Sequence, residues 1–181
     1  MLNPDENYFW QKVVANLAYD TKHRYSSKNY RDSIMAGNLL SLVTQQYSKE
    51  KIICWSATSH FIYNPKQISY KDYAGFIPMG EYLHQKLAQK LFTIGFTSYE
   101  GKAGSIITHQ LKKPSSSSNE DIVGQMQYSY AFTNLRAVST DTAGNSSIEC
   151  RMLGNTFMKM LLPKVADGLF YIKTAYPPEL K

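Results

Sequence analysis

Two short apolar runs with a helical pattern between them narrow the fold of this chain more than anything else in it. Lys51-Ile52-Ile53-Cys54-Trp55 is too brief for a helix and reads as a strand over residues 51–56, buried on both faces. Phe92-Thr93-Ile94-Gly95-Phe96-Thr97, rich in β-branched and aromatic residues, reads as a second strand. Between them, Asn64-Pro65 and Gly75 break any period over residues 61–77, where a long surface loop is expected. Pro78 then opens a helix to about residue 90, with Leu83, Leu87 and Leu91 repeating at i+4. Strand, helix, strand is a βαβ unit, so the two strands are expected to lie parallel with a right-handed crossover. In open parallel sheets ligands collect beyond the carboxyl ends of the strands, here residues 56–60 and 98–101.

The remaining segments supply flanking layers. Residues 6–22 place Trp10, Val13, Val14 and Leu17 at i, i+3, i+4 and i+7, the period of a helix that buries one stripe. Ser26 and Ser27 are candidate N-caps of a second helix over residues 28–47, in which Met35, Leu39, Leu42 and Val43 share a face. Past the Ser-rich connector 114–119, Ser117-x-x-Glu120 has the form of a capping box for a short helix to about residue 128. Residues 130–135, 148–152 and 168–173 are strand candidates, and 141–147 is a polar loop. No repeat or shift in composition marks a boundary. Residues 1–181 therefore read as one α/β domain, a mostly parallel sheet flanked by helices.

Composition excludes several classes. With 43% apolar and 19% charged residues, and 14 Tyr, 8 Phe and 2 Trp, the chain is globular rather than disordered. Its net charge of +6 does not gather into a patch, the sole adjacent basic pair being Lys112-Lys113, so no nucleic-acid partner is expected. No apolar run approaches the ~18 residues of a spanning helix, and the first residues lack the character of a signal peptide. The expectation is a soluble, cytoplasmic protein without a membrane partner. Cys54 and Cys150 have no C-x-x-C spacing, which excludes a disulfide scaffold.

The chemistry-bearing residues are few. There is no G-x-S-x-G, P-loop or G-x-G-x-x-G, and His23, His60, His84 and His109 lack metal-ligand spacing, so no metal is expected. His60 follows the first apolar run; it is either a structural hydrogen-bonding group at a loop start or a ring facing a cleft. Arg31-Asp32 begins the second helix as a helix-start aspartate with a solvated arginine, or as a cleft-facing pair for an anionic or ester oxygen. Glu100, after the second strand, is a surface carboxylate or an acid–base partner for His60. Tyr63, Tyr70 and Tyr73 line an apolar pocket or pack on their own sheet, and His84 sits at the boundary of an apolar stripe.

Four segments together resemble a family. Arg31-Asp32-Ser33-Ile34-Met35-Ala36-Gly37-Asn38, Lys51 through His60, Pro78-Met79-Gly80-Glu81-Tyr82-Leu83, and Ile94-Gly95-Phe96-Thr97 to Gly101 look like the carboxy-terminal half of the erythromycin esterase family, which includes succinoglycan biosynthesis proteins. The closing Asp167-Gly168-Leu169-Phe170-Tyr171-Ile172 is similar to the family's last strand. The resemblance implies a hydrolase that opens a macrolactone or cleaves another ester with histidine-activated water, carboxylates and an arginine, and no obligatory organic cofactor. It implies a catalytic role for His60 and substrate contacts for Arg31, Asp32 and Glu100. The family's W-x-H-N-x-H pattern keeps its second histidine here as His60, with Ala57 and Thr58 at the intervening positions. The family's amino-terminal half, with its G-E-x-x-H-like strand end, has no counterpart in these residues. The expected partners are accordingly a small-molecule ester and either that missing half or a second copy of the chain.

Overall fold

The computed structural model describes residues 3–23, 28–104, 107–138 and 146–178. The chain resolves into two compact units, Met1–Cys54 and Trp55–Lys181.

The first unit is a helical hairpin. Helix α1 (Pro4–His23) starts on a reciprocal cap, the Asn3 carboxamide accepting from Glu6 N at 2.8 Å and the Glu6 carboxylate from Asn3 N at 3.0 Å. Helix α2 (Lys28–Ser41) runs on into a π-helical turn, Leu42–Gln46. The pairings Tyr19–Tyr30, Asn16–Asn38 and Tyr8–Ser41 show that the two helices are antiparallel. The proposed N-caps Ser26 and Ser27 lie outside the described residues. The apolar stripe of α1 is not buried as its period predicts: Trp10, Val14 and Leu17 are each more than half exposed.

The largest correction concerns the first apolar run. Residues 51–56 form no strand, and Ile53 and Trp55 are 93% and 79% exposed. The parallel partner of β1 (Ile94–Ala103) is instead β6 (Gly168–Ala175), far downstream, in the register Phe96↔Phe170. An apolar run is strand-like only if a neighbour takes its backbone groups. Among the described residues none does so for 51–56.

The four-stranded sheet has the order β2-β1-β6-β3. Both β2 (His109–Gln110) against β1 and β3 (Tyr130–Asn134) against β6 are antiparallel, so the sheet is mostly antiparallel and not mostly parallel as the sequence suggests. The strand signals at 130–135 and 168–173 fall on β3 and β6. A separate hairpin joins β4 (Ile148–Leu153) to β5 (Thr156–Met160). Its two linking residues, Gly154 and Asn155, both have positive φ (64° and 60°), the conformation that a two-residue turn matching the strand twist requires.

Helix α3 (Thr58–Phe61), helix α4 (Met79–Leu87), helix α5 (Asn119–Gly124) and helix α6 (Leu162–Val165) complete the second unit. Ile62, Met152, Met160, Val165 and Leu169 belong to its core. The expected surface loop 61–77 is in part interior: Ile62, Tyr63, Pro65 and Ile68 are buried, and Ile68 bridges to Met160 of β5. The cap of α5 is Ser118, accepting from Asp121 N at 3.2 Å, one residue beyond the expected Ser117-x-x-Glu120. That shift frees Glu120 to turn inward. Of the expected polar loop 141–147, residues 141–145 lie outside the described ones.

Candidate active site

His60 sits on the single turn of α3, which Ala57 enters in an extended conformation (φ −59°, ψ 136°). The turn closes through His60 N to Ala57 O at 3.0 Å and Ile62 N to Thr58 O at 3.1 Å, and leaves the imidazole half-buried. The next two residues anchor the turn: Ile62 is fully buried, and Tyr63 N donates to Val165 O at 3.2 Å. Gly80, in the first turn of α4, lies so near the Phe61 carbonyl that any Cβ would collide with that backbone, so glycine is required where the two helices meet. Near the start of β1, a Cβ on Gly95 would lie 3.5 Å from the Thr58 methyl, while the Trp55 ring packs 5.1 Å from Phe96.

This position differs from the expected one. With no strand at 51–56 to deliver it to the carboxyl edge, α3 approaches β1 at Gly95. Glu100 lies five residues further along, about 16 Å of extended strand. Glu100 is exposed and accepts from the Thr174 hydroxyl at 3.3 Å. Arg31 and Asp32 lie on α2 in the first unit, the arginine exposed and the aspartate buried. His84 is stacked on Tyr63, their ring centroids 4.1 Å apart, and His109 is exposed on β2. Of the three tyrosines, Tyr63 is buried, Tyr73 packs against the core and Tyr70 is exposed.

Two buried acids to which the sequence reading gives no such role organise the surroundings. Asp167, between α6 and β6, accepts from Thr93 N at 2.7 Å, from Arg136 Nε at 2.7 Å and from the Tyr63 hydroxyl at 3.2 Å. It thereby ties the segment just after α3 to the starts of β1 and β6. Burial, then the Asp167 charge, push the Tyr63 phenol well up, so Tyr63 remains a neutral donor. Glu120 is fully buried, and its Oε1 accepts from Thr97 Oγ1, from Arg151 N at 2.9 Å and from Cys150 Sγ at 3.2 Å. Burial first, then Glu120, raise the Cys150 thiol well above its ordinary value; burial lowers Arg151 while Glu120 opposes that. The available signal for Asp167 was a charge inside an apolar run, Val165-Ala166-Asp167-Gly168-Leu169. Among the described residues no group of three or more His, Cys, Asp or Glu side chains could hold a metal, and no helix is long and apolar enough to cross a membrane.

The geometry is that of a mixed α/β protein with a histidine-bearing turn braced against its sheet. The chain belongs to the erythromycin esterase family, which matches residues 2–175. It is 24% identical to an erythromycin esterase type II of Escherichia coli, over 83% of this chain and 38% of the relative. Among solved structures it is similar in fold to a succinoglycan biosynthesis protein (TM-score 0.73, 20% identity, 94% of this chain and 46% of that one). It also resembles the erythromycin esterase mutant EreC in its open conformation (TM-score 0.64, 17% identity, 84% and 38%). The chain thus spans less than half the length of each of these relatives.

Proposed function

We propose that this chain is the carboxy-terminal, substrate-side half of an erythromycin-esterase-type hydrolase, cleaving a small-molecule ester or macrolactone only together with an amino-terminal half. The observation that carries this reading is the family match across residues 2–175, with His60 on the braced turn Thr58–Phe61. In the proposed reaction His60 takes a proton from water as the water oxygen adds to the carbonyl carbon. The tetrahedral intermediate then loses its alkoxide, which recovers that proton, and acid and alcohol leave. A base of this kind is oriented by a further group, which the amino-terminal half supplies. Ala57 and Thr58, standing where the family pattern has a histidine and an asparagine, favour a second reading: a binding or structural domain that keeps the fold without activity.

The test is turnover of erythromycin and of an aryl ester by the purified chain and by a chimera in which it replaces the matching region of the E. coli relative. The chain alone is expected to stay at background and the chimera to turn over, falling ~10²–10⁴-fold with His60→Ala. A silent, folded chimera supports the non-catalytic reading. Turnover by the chain alone removes the need for a second half, and turnover that survives His60→Ala removes His60 from the reaction.

A further inference from the structure

Residues 51–56 have the side chains of a covered strand and none of its surroundings. The segment runs without helix, turn or bend, and its residues make no backbone hydrogen bond to another described residue. In such an extended run alternate side chains take opposite sides, so Ile52 and Cys54 stand on one side and Ile53 and Trp55 on the other. All four are exposed, Ile53 at 93% and Trp55 at 79%. Apolar residues on a finished surface stand singly, and an uninterrupted run of them in water marks a place where something binds. A surface loop has no need of apolar residues on both sides; a strand covered on both faces does.

We propose that residues 51–56 are a strand-addition site, completed by a β-strand of the amino-terminal half; this rests on the reading above that the chain acts together with that half. The unpaired groups set the chemistry of the partner. A backbone with its N–H and C=O groups unpaired takes another extended backbone, and apolar side chains on both sides require that the incoming strand bring covering layers with it. A second copy of the chain does not meet that requirement. Two copies of 51–56 make a two-stranded ribbon with both apolar sides still in water, and such ribbons are marginal alone. A folded half with its own sheet does meet it, and the relatives have that much chain beyond the match, which takes up 38% of the E. coli esterase and 46% of the succinoglycan biosynthesis protein. Only Ala57 separates the segment from α3. The incoming sheet therefore arrives beside the turn that carries His60, where the proposed reaction needs an orienting group.

Hydrogen exchange read by mass spectrometry, on the chain alone and on the chimera with the E. coli relative, tests this. The amides of 52–55 are expected to exchange without protection in the chain alone at every concentration, and at least ~100-fold more slowly in the chimera. The Cys54 thiol gives a second readout: it is exposed while Cys150 is fully buried, so alkylation of the folded chain reports Cys54 and should slow in the chimera. Ile53→Pro removes a donor that a central strand needs, but no bond that the chain alone makes. It should leave the urea midpoint of the chain unchanged and abolish the protection in the chimera. If the chimera does not fold, the remainder of the E. coli relative added in trans carries the same measurements. Protection in the chain alone, or protection that grows with its concentration, overturns the proposal in favour of a partner within the chain or a second copy. A segment left unprotected in the chimera, or protection there that survives Ile53→Pro, overturns it as well. Protection without turnover keeps the strand-addition site and fails the hydrolase, whereas turnover without protection does the reverse.

Discussion

The two faces of the sheet are built from alternate residues of the same three strands, yet the more apolar face is the one left open. Toward the core, β1 presents Gly95 and Thr97 and β6 presents Leu169 and Tyr171, all buried. Away from it stand Phe96, Phe132 and Phe170 with Tyr130. Hydrophobicity alone would have reversed this. The inner face is closed by what docks on it: α5 carries Glu120 onto Thr97, and β4 brings Cys150 and Arg151 to the same carboxylate. The parallel pairing of β1 with β6 makes the contrast sharper, because parallel strands are ordinarily covered on both sides. The inner face is held by polar specificity, and the outer one keeps its aromatic side chains partly exposed.

The contrast breaks most completely if Glu120 is removed. Glu120→Ala leaves the Arg151 amide, the Cys150 thiol and the Thr97 hydroxyl without their acceptor and the buried guanidinium without its counter-charge. A loss of about 3–5 kcal/mol is expected from urea unfolding. A loss below about 1 kcal/mol would show that α5 docks on the inner face by packing alone.

Alkaline pH probes the same cluster more gently. The folded state holds the Cys150 proton well above the unfolded value of 9.0, chiefly through burial. Above pH 9 the unfolded chain has released a proton that the folded chain keeps, so this contribution is complete below pH 9 and is lost as pH rises. The decline approaches about 1.4 kcal/mol per pH unit for this one group. Tyr63, raised in the same direction from 10.0, adds to it at higher pH. Denaturation at a series of pH values should show a flatter decline for Cys150→Ala; an unchanged slope would assign the effect to the tyrosines.

Local elements were legible in the sequence and their partners were not. The periods and breakers around residues 6–22, 78–90 and 92–97 lead to α1, α4 and β1, because each depends on spacing within a few turns. The apolar run at 51–56 fails for the complementary reason. It has the composition of a buried strand, but a strand exists only through its neighbour, and the neighbour of β1 is β6, more than sixty residues on. The bracing of the site was hidden in the same way. Glu120 reads as a helix-capping acid, and only the shift of the cap to Ser118 turns it into the core. The sequence singles out His60 by its place after Trp55, whereas the Asp167 links around the segment just after α3 join residues up to 104 positions apart.

The smallest effect sharpens the comparison from within the inner face. Tyr171 is 2% exposed, and its hydroxyl has no hydrogen-bond partner among the described residues, although it lies in the field of Glu120, Tyr99 and Glu100. Removing one partner of a made hydrogen bond costs about 1–3 kcal/mol, whereas removing a buried hydroxyl that makes none relieves its desolvation. Tyr171→Phe keeps the ring and its packing and deletes only that oxygen. The change in unfolding free energy should therefore fall within about 0.5 kcal/mol of zero, or be slightly stabilising. The thiol offers a control in the same protein, since Cys150 sits on the Glu120 carboxylate and its removal should cost stability. A loss above about 1 kcal/mol for Tyr171→Phe would mean that the hydroxyl is bonded through an ordered water to Glu120, whose Oε2 likewise lacks a partner. The inner face would then be closed by solvent as well as by protein, and the polar cluster would extend from β4 across to β6.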